Sequence, residues 1–275
     1  MVAMAGETPT GQDAAAAGTA NGPLSGKVCL VMGVANEWSI AWNIAKAMAG
    51  AGATLAVTVL DERAKRTTDK LAETLPGTTV YQCNVESDEE MAALGERLTS
   101  DHGRVDALVH SIAYAPANEL KGRFIDTTRE GFQVAHAISV YSLISSARLV
   151  MPLMTGGGSI TTLTYLGADR VFPQYNVMGV AKAALEATVR YLAADLGEQK
   201  IRVNAISAGP VATASARGIP GFSTMKGSLG DRMPMKESFT PAKVGSTAVF
   251  LASDGADAIT GETIFVDGGY HVMGM

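Results

Sequence analysis

The chain has 275 residues, 47% of them hydrophobic and 18% charged, and carries a formal charge of -5. That balance provides enough apolar material for a sheet buried on both faces and excludes disorder over most of its length. The acidic total, with no Lys/Arg stripe, excludes a broad positive field for a nucleic-acid backbone, so nucleic acid is not an expected partner.

In chain order, residues 1–23 read as a loose tail, because the first 22 are rich in Ala, Gly and Thr and contain neither Lys nor Arg nor an apolar core for a signal peptide. Residues 24–275 read as a single domain. Lys27–Met32 is an apolar run ended by Gly33 and predicts a strand, and Ser39–Met48 has the period of a helix. The pattern repeats, with a strand over Thr54–Val59, a helix over Glu62–Thr74, a strand over Thr79–Cys83 and a helix over Asp88–Ser100. Val105–His110, Gly158–Leu163, Ile201–Ile206 and Thr263–Val266 add four strands, and Gly131–Met151, Gln174–Leu196 and Pro241–Leu251 read as helices. Such alternation predicts an α/β fold of Rossmann type, a doubly wound parallel sheet of seven strands with helices on both faces. The mixed Gly, Pro, Ser and Met segment Ala208–Thr240 predicts a lid, in which Ile219, Phe222, Met225, Met233 and Met235 are candidates to line an apolar groove. Cys29 and Cys83 fall inside strand-like runs, which predicts buried thiols and suits a reducing, cytoplasmic setting. No run of about 18 uninterrupted apolar residues predicts a membrane span.

Ligands of open α/β sheets bind beyond the carboxyl ends of the strands, which directs attention to the turn Gly33–Ile40. A glycine lets the backbone approach a pyrophosphate, and the next helix offers it free N–H groups and a positive dipole end. The full G-x-G-x-x-G pattern is missing, so the turn is equally compatible with a plain strand-to-helix junction. Asp61, at the end of the second strand, fits either a ribose-binding acid or the N-cap of the following helix. Arg63, Lys65 and Arg66 fit either a 2′-phosphate site or a solvated helix face.

Tyr175 and Lys182 are seven residues apart in the Gln174–Leu196 helical pattern. Two turns put them on one face, about 10.5 Å apart along the axis, where long side chains converge. A nearby ammonium favours the charged form of a phenol, which gives the pair a chemical reading beyond an amphipathic helix. Pro173 predicts the helix start.

Tyr175 and Lys182 on such a sheet resemble the short-chain dehydrogenase/reductase superfamily. The turn Gly33-x5-Ser39-Ile40-Ala41, the stretch His110-Ser111-Ile112-Ala113-Tyr114-Ala115-Pro116, and Thr164-Tyr165-Leu166-Gly167-Ala168 followed by Pro173-x-Tyr175-Asn176-Val177-Met178-Gly179 resemble its divergent enoyl-acyl-carrier-protein reductase branch. Val203–Pro210 and Val266-Asp267-Gly268-Gly269 continue the likeness, which spans Leu24–Tyr270.

The resemblance implies reduction of a trans-2-enoyl thioester on acyl-carrier protein, with NADH the expected cofactor and NADPH the lesser expectation, by a homotetramer. It implies that Gly33, Ser39 and Ile40 hold the pyrophosphate side, that Leu60, Asn84 and Val85 border the adenosine, and that Ile112 lies along the cofactor. Lys182 would bond the nicotinamide ribose, and Val211, Ala212, Thr213, Ala214 and Ser215 would surround the carboxamide and phosphates. Tyr175 would bond the substrate carbonyl, and Tyr165 and Ala115 would border the acyl chain. Asn84 replaces the Asp of many relatives, and Leu60 stands where NADH-using relatives often carry Gln. Two other readings stay open. Thr162, 13 residues before Tyr175, is placed to polarise a carbonyl as in a ketoreductase. A nucleotide-binding regulator without turnover would use the same fold.

Overall fold

The computed structural model describes residues 22–209, 211, 232–236 and 240–274. Most of the expected tail, and Ile219, Phe222 and Met225 of the expected lid, lie outside these residues. Val28–Met32 (β1) is buried along its whole length. Because side chains alternate across a strand, Leu30 and Met32 enter one apolar cluster while Cys29 and Val31 enter the other. The other strands are Thr54–Val59 (β2), Thr79–Gln82 (β3), Ala107–His110 (β4), Gly158–Thr164 (β5), Ile201–Ala208 (β6) and Thr263–Val266 (β7). All pair in parallel in the order β3-β2-β1-β4-β5-β6-β7. Strand order therefore reverses between β1 and β4, where the crevice of a doubly wound sheet opens.

Helices cover both faces. Ile40–Gly50 (α1) and Pro241–Ala252 (α7) pack together over one, while Asp88–His102 (α3), Ser142–Val150 (α5) and Asn176–Leu196 (α6) close the other. Local chemistry sets their ends. Ser39 caps α1 by accepting from Trp42 N at 3.2 Å, and Asp61 caps Glu62–Ala72 (α2) by accepting from Ala64 N at 2.8 Å. At α3, Ser87 accepts from Glu90 N at 3.1 Å while Glu90 accepts from Asn84 N at 2.8 Å. The Ser87 cap satisfies one N–H of the helix, and the Glu90 carboxylate ties its first turn back to the loop after β3. Both cysteines are free and buried, and burial pushes the Cys83 thiol up to about 11.

The helix expected over Gly131–Met151 is interrupted. Arg129–His136 (α4) gives way to a π-helical turn over Ala137–Tyr141 before α5 begins. Two serines tie this turn to β4 and the loop after it. Ser139 Oγ accepts from Tyr114 N and donates to Tyr114 O, both at 3.0 Å. Ser142 Oγ donates to Ile138 O and lies 2.8 Å from Nε2 of the fully buried His110. Since the Ser142 hydrogen is committed, Nε2 is the protonated nitrogen, and Nδ1 accepts from Thr162 Oγ1 at 2.9 Å. By length and composition Arg129–Leu153 could cross a membrane. Here it packs against α3, α6 and β4, as a core helix does.

The sheet-facing imidazole has a measurable consequence. Burial first, and the Lys182 ammonium second, hold His110 down at about 3 against an ordinary 6.5. A depressed folded value means its neutral form supports the fold fully above pH 6.5 and that this support is lost as pH falls toward 3. Urea unfolding across that range should show wild type losing up to about 1.4 kcal/mol per pH unit relative to His110→Gln. Parallel curves for the two proteins would refute the assignment.

Candidate active site

At the reversal point, the turns after β1 and β4 meet backbone to backbone. Gly33 has φ 88°, and a Cβ there would lie 2.4 Å from Ser111 O and 3.0 Å from Ile112 Cγ1. Only glycine fits. Its N–H bonds Thr58 Oγ1 at 3.2 Å, which fixes the turn against β2. Ser39 Oγ donates to Asn36 O at 2.6 Å while capping α1, so the donors this helix still presents are the N–H groups of Ile40 and Ala41. The result is a cradle of main chain and helix terminus that fits the pyrophosphate of a dinucleotide.

Farther along the crevice, Asp61 serves as the helix cap. Lys65 pairs with Asp69 at 2.9 Å and Arg66 with Glu62 at 3.3 Å, the solvated-face alternative of the sequence. Leu60 is exposed beside them. Asn84 Oδ1 accepts from Glu86 N at 3.1 Å and shapes the turn after β3, which also holds Val85. Ile112 is half-buried against the core, and Ala115 and Val211 are buried. Ala212, Thr213, Ala214 and Ser215 lie outside the described residues. Met233 is buried against Gly268, whereas Met235 is exposed.

The chemistry gathers at the end of β5. Lys182 is buried, and its Nζ donates to Leu163 O at 2.7 Å. Burial lowers this ammonium to about 8, and the carboxylate of Glu186 works against the fall. Thr164 Oγ1 donates to Glu186 Oε1 at 2.7 Å. Tyr165 packs edge-on to Tyr175, with ring centroids 5.2 Å apart, and against Phe172 at 5.0 Å.

Two expectations need correction. The helix begins at Asn176, so Pro173 is not its first residue and Tyr175 occupies the N-cap position outside it. The flanking residues take left-handed backbone, Gln174 with φ 63° and Asn176 with φ 38°. Asn176 Nδ2 also reaches Gly122 O at 3.4 Å. The Tyr175 ring thereby lies over Gly167, where a Cβ would sit 2.5 Å from Tyr175 Cδ1. Nor does Lys182 make Tyr175 a phenolate. Burial, and then Tyr165 and Glu186, push the phenol well above its ordinary range, so it is a neutral O–H donor. Tyr165 is raised too, by burial and then by Tyr270 and Asp267.

Thr162 is fully buried with its hydroxyl on His110, away from any carbonyl to be reduced. Residues 33–271 match the family model described as enoyl-(acyl carrier protein) reductase. The chain belongs to the enoyl-acyl-carrier-protein reductase family. A relative in Bacillus cereus named as an NADH enoyl-acyl-carrier-protein reductase is 50% identical over 253 residues, covering 91% of this chain and 99% of its own. One in Aquifex aeolicus is 50% identical over 255 residues, covering 92% and 94%. The crystal structure of the Bacillus cereus reductase with NADP+ and indole naphthyridinone superposes with TM-score 0.91 at 50% identity, covering 92% of this chain and all of the other.

Within this reductase, Glu186 and His110 carry interactions that reading the sequence did not assign. The available signal for Glu186 was its spacing, four residues beyond Lys182 on one helix. The Gly167 contact gives a direct check on the site. Gly167→Ala should displace the Tyr175 ring and lower kcat by about 10²-fold, since a misplacement of about 1 Å has that effect. Unchanged kcat with the same thermal unfolding would show that the ring position does not matter.

Proposed function

We propose that this chain reduces the α,β-double bond of a trans-2-enoyl thioester carried by acyl-carrier protein, using NADH in the cytoplasm. The observation that carries the mechanism is a neutral, half-buried Tyr175 phenol packed on Tyr165 at the entrance of α6, with the buried Lys182 two turns farther along that helix. When bound, the reduced nicotinamide supplies the hydride that adds to the β-carbon. Negative charge then develops on the thioester oxygen, where Tyr175 Oη–H donates a hydrogen bond, and uptake of one proton at the α-carbon collapses the enolate to the saturated thioester. A fixed donor in a desolvated site stabilises that charge without reorganising, which is usually the largest contribution to catalysis.

The remaining residues bind and orient. Lys182 holds the nicotinamide ribose, with Leu163 O fixing the ammonium from behind. Gly33, Ser39 and Ile40 would hold the pyrophosphate, Leu60, Asn84 and Val85 would border the adenosine, and Ile112 and Val211 would line the cofactor; Ala212, Thr213, Ala214 and Ser215 are assigned to it from the family resemblance alone. Tyr165 and Ala115 border the acyl chain. The preference for NADH is supported by Asp61 acting as a cap and by the carboxylate pairing of Lys65 and Arg66, which leaves those two cations engaged. A ketoreductase reading is disfavoured by the commitment of Thr162 to His110. One catalytic domain over residues 24–275 and a homotetramer complete the proposal. The tetramer is supported by Tyr141, Val180 and Tyr191, exposed apolar side chains on the α4–α6 layer.

Oxidation of NADH and of NADPH with a medium-chain trans-2-enoyl thioester should be followed by absorbance for wild type and Tyr175→Phe. Wild type should favour NADH, and the variant should lose about 10²–10³-fold in kcat, the usual effect of removing one such donor. Turnover of 3-ketoacyl but not enoyl thioesters would overturn the proposal. Sedimentation of the purified protein should give four chains per particle, and a monomer at micromolar concentration would remove the tetramer.

A further inference from the structure

Three consecutive residues at the end of β5 each hold a different residue of the segment around α6. Leu163 O accepts from Lys182 Nζ at 2.7 Å, Thr164 Oγ1 donates to Glu186 Oε1 at 2.7 Å, and the Tyr165 ring meets Tyr175. Glu186 stands one turn beyond Lys182, at a spacing that puts both on one side of the helix. It is half-buried, and its anchor Thr164 is buried at the strand end. A carboxylate in that position needs a reason, because burying a charge is costly unless it is paired or hydrogen-bonded.

We propose that Glu186 is a positioning residue, fixed by Thr164, whose carboxylate acts across one helical turn to keep Lys182 charged for the cofactor ribose while Leu163 O fixes the ammonium. This rests on the reading of Lys182 given above. The titratable groups around the two residues come from every neighbouring element. His110 on β4 faces Lys182, Tyr175 lies at the entrance of α6, Asp169 follows β5, and Arg190 sits on the next turn of α6. His110 and Tyr175 stay neutral through the working range, since the first is held low and the second high. Burial first, with Asp169, raises the Glu186 carboxyl above its ordinary range, and the Thr164 hydrogen bond, Arg190 and Lys182 act against that rise. Lys182 is therefore the group left to titrate near neutrality, at about 8, with Glu186 opposing its loss of charge.

The test is fluorescence titration of NADH binding to the full chain across neutral and alkaline pH. Wild-type affinity should fall as pH rises through about 8. In Glu186→Gln, which keeps an acceptor for Thr164 but removes the charge, the fall should move down by about one pH unit. Glu186→Asp should restore it toward wild type. Lys182→Met should have no such fall. A fall that persists in Lys182→Met overturns both the ribose reading and this inference. A fall absent from Lys182→Met but unmoved in Glu186→Gln, with cooperative unfolding intact, overturns this inference alone. Thr164→Val frees the carboxylate without removing it and should move the fall in the same direction by less. If Glu186→Gln does not fold, an unmoved fall in Thr164→Val overturns the inference.

Discussion

A buried ammonium on a strand-end carbonyl is the constraint around which this site is built. An isolated charge in an apolar interior is strongly disfavoured, and a lysine there tends to neutralise. Lys182 has Leu163 O in direct contact and the Glu186 carboxylate on its own helix. For the carbonyl to reach the ammonium, and for Thr164 to reach Glu186, the end of β5 and the first turns of α6 must keep one register. The tyrosine pair, the Thr164–Glu186 bond and the close approach of Gly167 to Tyr175 all belong to that junction.

The junction needs a rigid wall behind it, and β4 with the π-helical turn provides it. His110 uses both ring nitrogens on hydroxyls, so the chain Thr162–His110–Ser142–Ile138 has one direction of hydrogen donation throughout. It locks β4 to β5 at one end and to the helical layer at the other. The same turn places Ser139 on both polar groups of Tyr114, which fixes the loop carrying Ile112 and Ala115. A continuous α-helix would change the facing of the residues after the turn, because a π turn inserts one residue into the helical repeat.

How much of this was legible follows from the physics of each signal. Strand alternation and helix period read correctly along β1 to β7, and the Asp61 cap was among the readings the chain allowed. The π turn was not legible, because Ala137–Tyr141 lies within an unbroken helical pattern and an inserted residue is invisible in composition. Tyr175 was placed inside α6 because the apolar period continues through it, whereas left-handed backbone at Gln174 and Asn176 is decided by tertiary contact. Its protonation was misread for a related reason. Proximity to a lysine in sequence predicts a stabilised phenolate, but desolvation dominates once the ring is enclosed.

The commitments of individual hydrogens, more than the presence of residue types, separate the possible reactions on this fold. A hydroxyl 13 residues before the tyrosine is present as Thr162, yet its hydrogen belongs to His110 and it lies in the core. A carbonyl reductase needs two donors converging on one oxygen whose proton it then supplies. Here the entrance of α6 carries the neutral Tyr175 phenol, with a second phenol, Tyr165, packed edge-on to it and raised by burial in the same way. Two neutral phenols suit stabilising an enolate oxygen that remains an oxygen of the thioester. That oxygen requires a hydrogen bond during the reaction and no net proton at its end, which matches a site built to donate without being deprotonated.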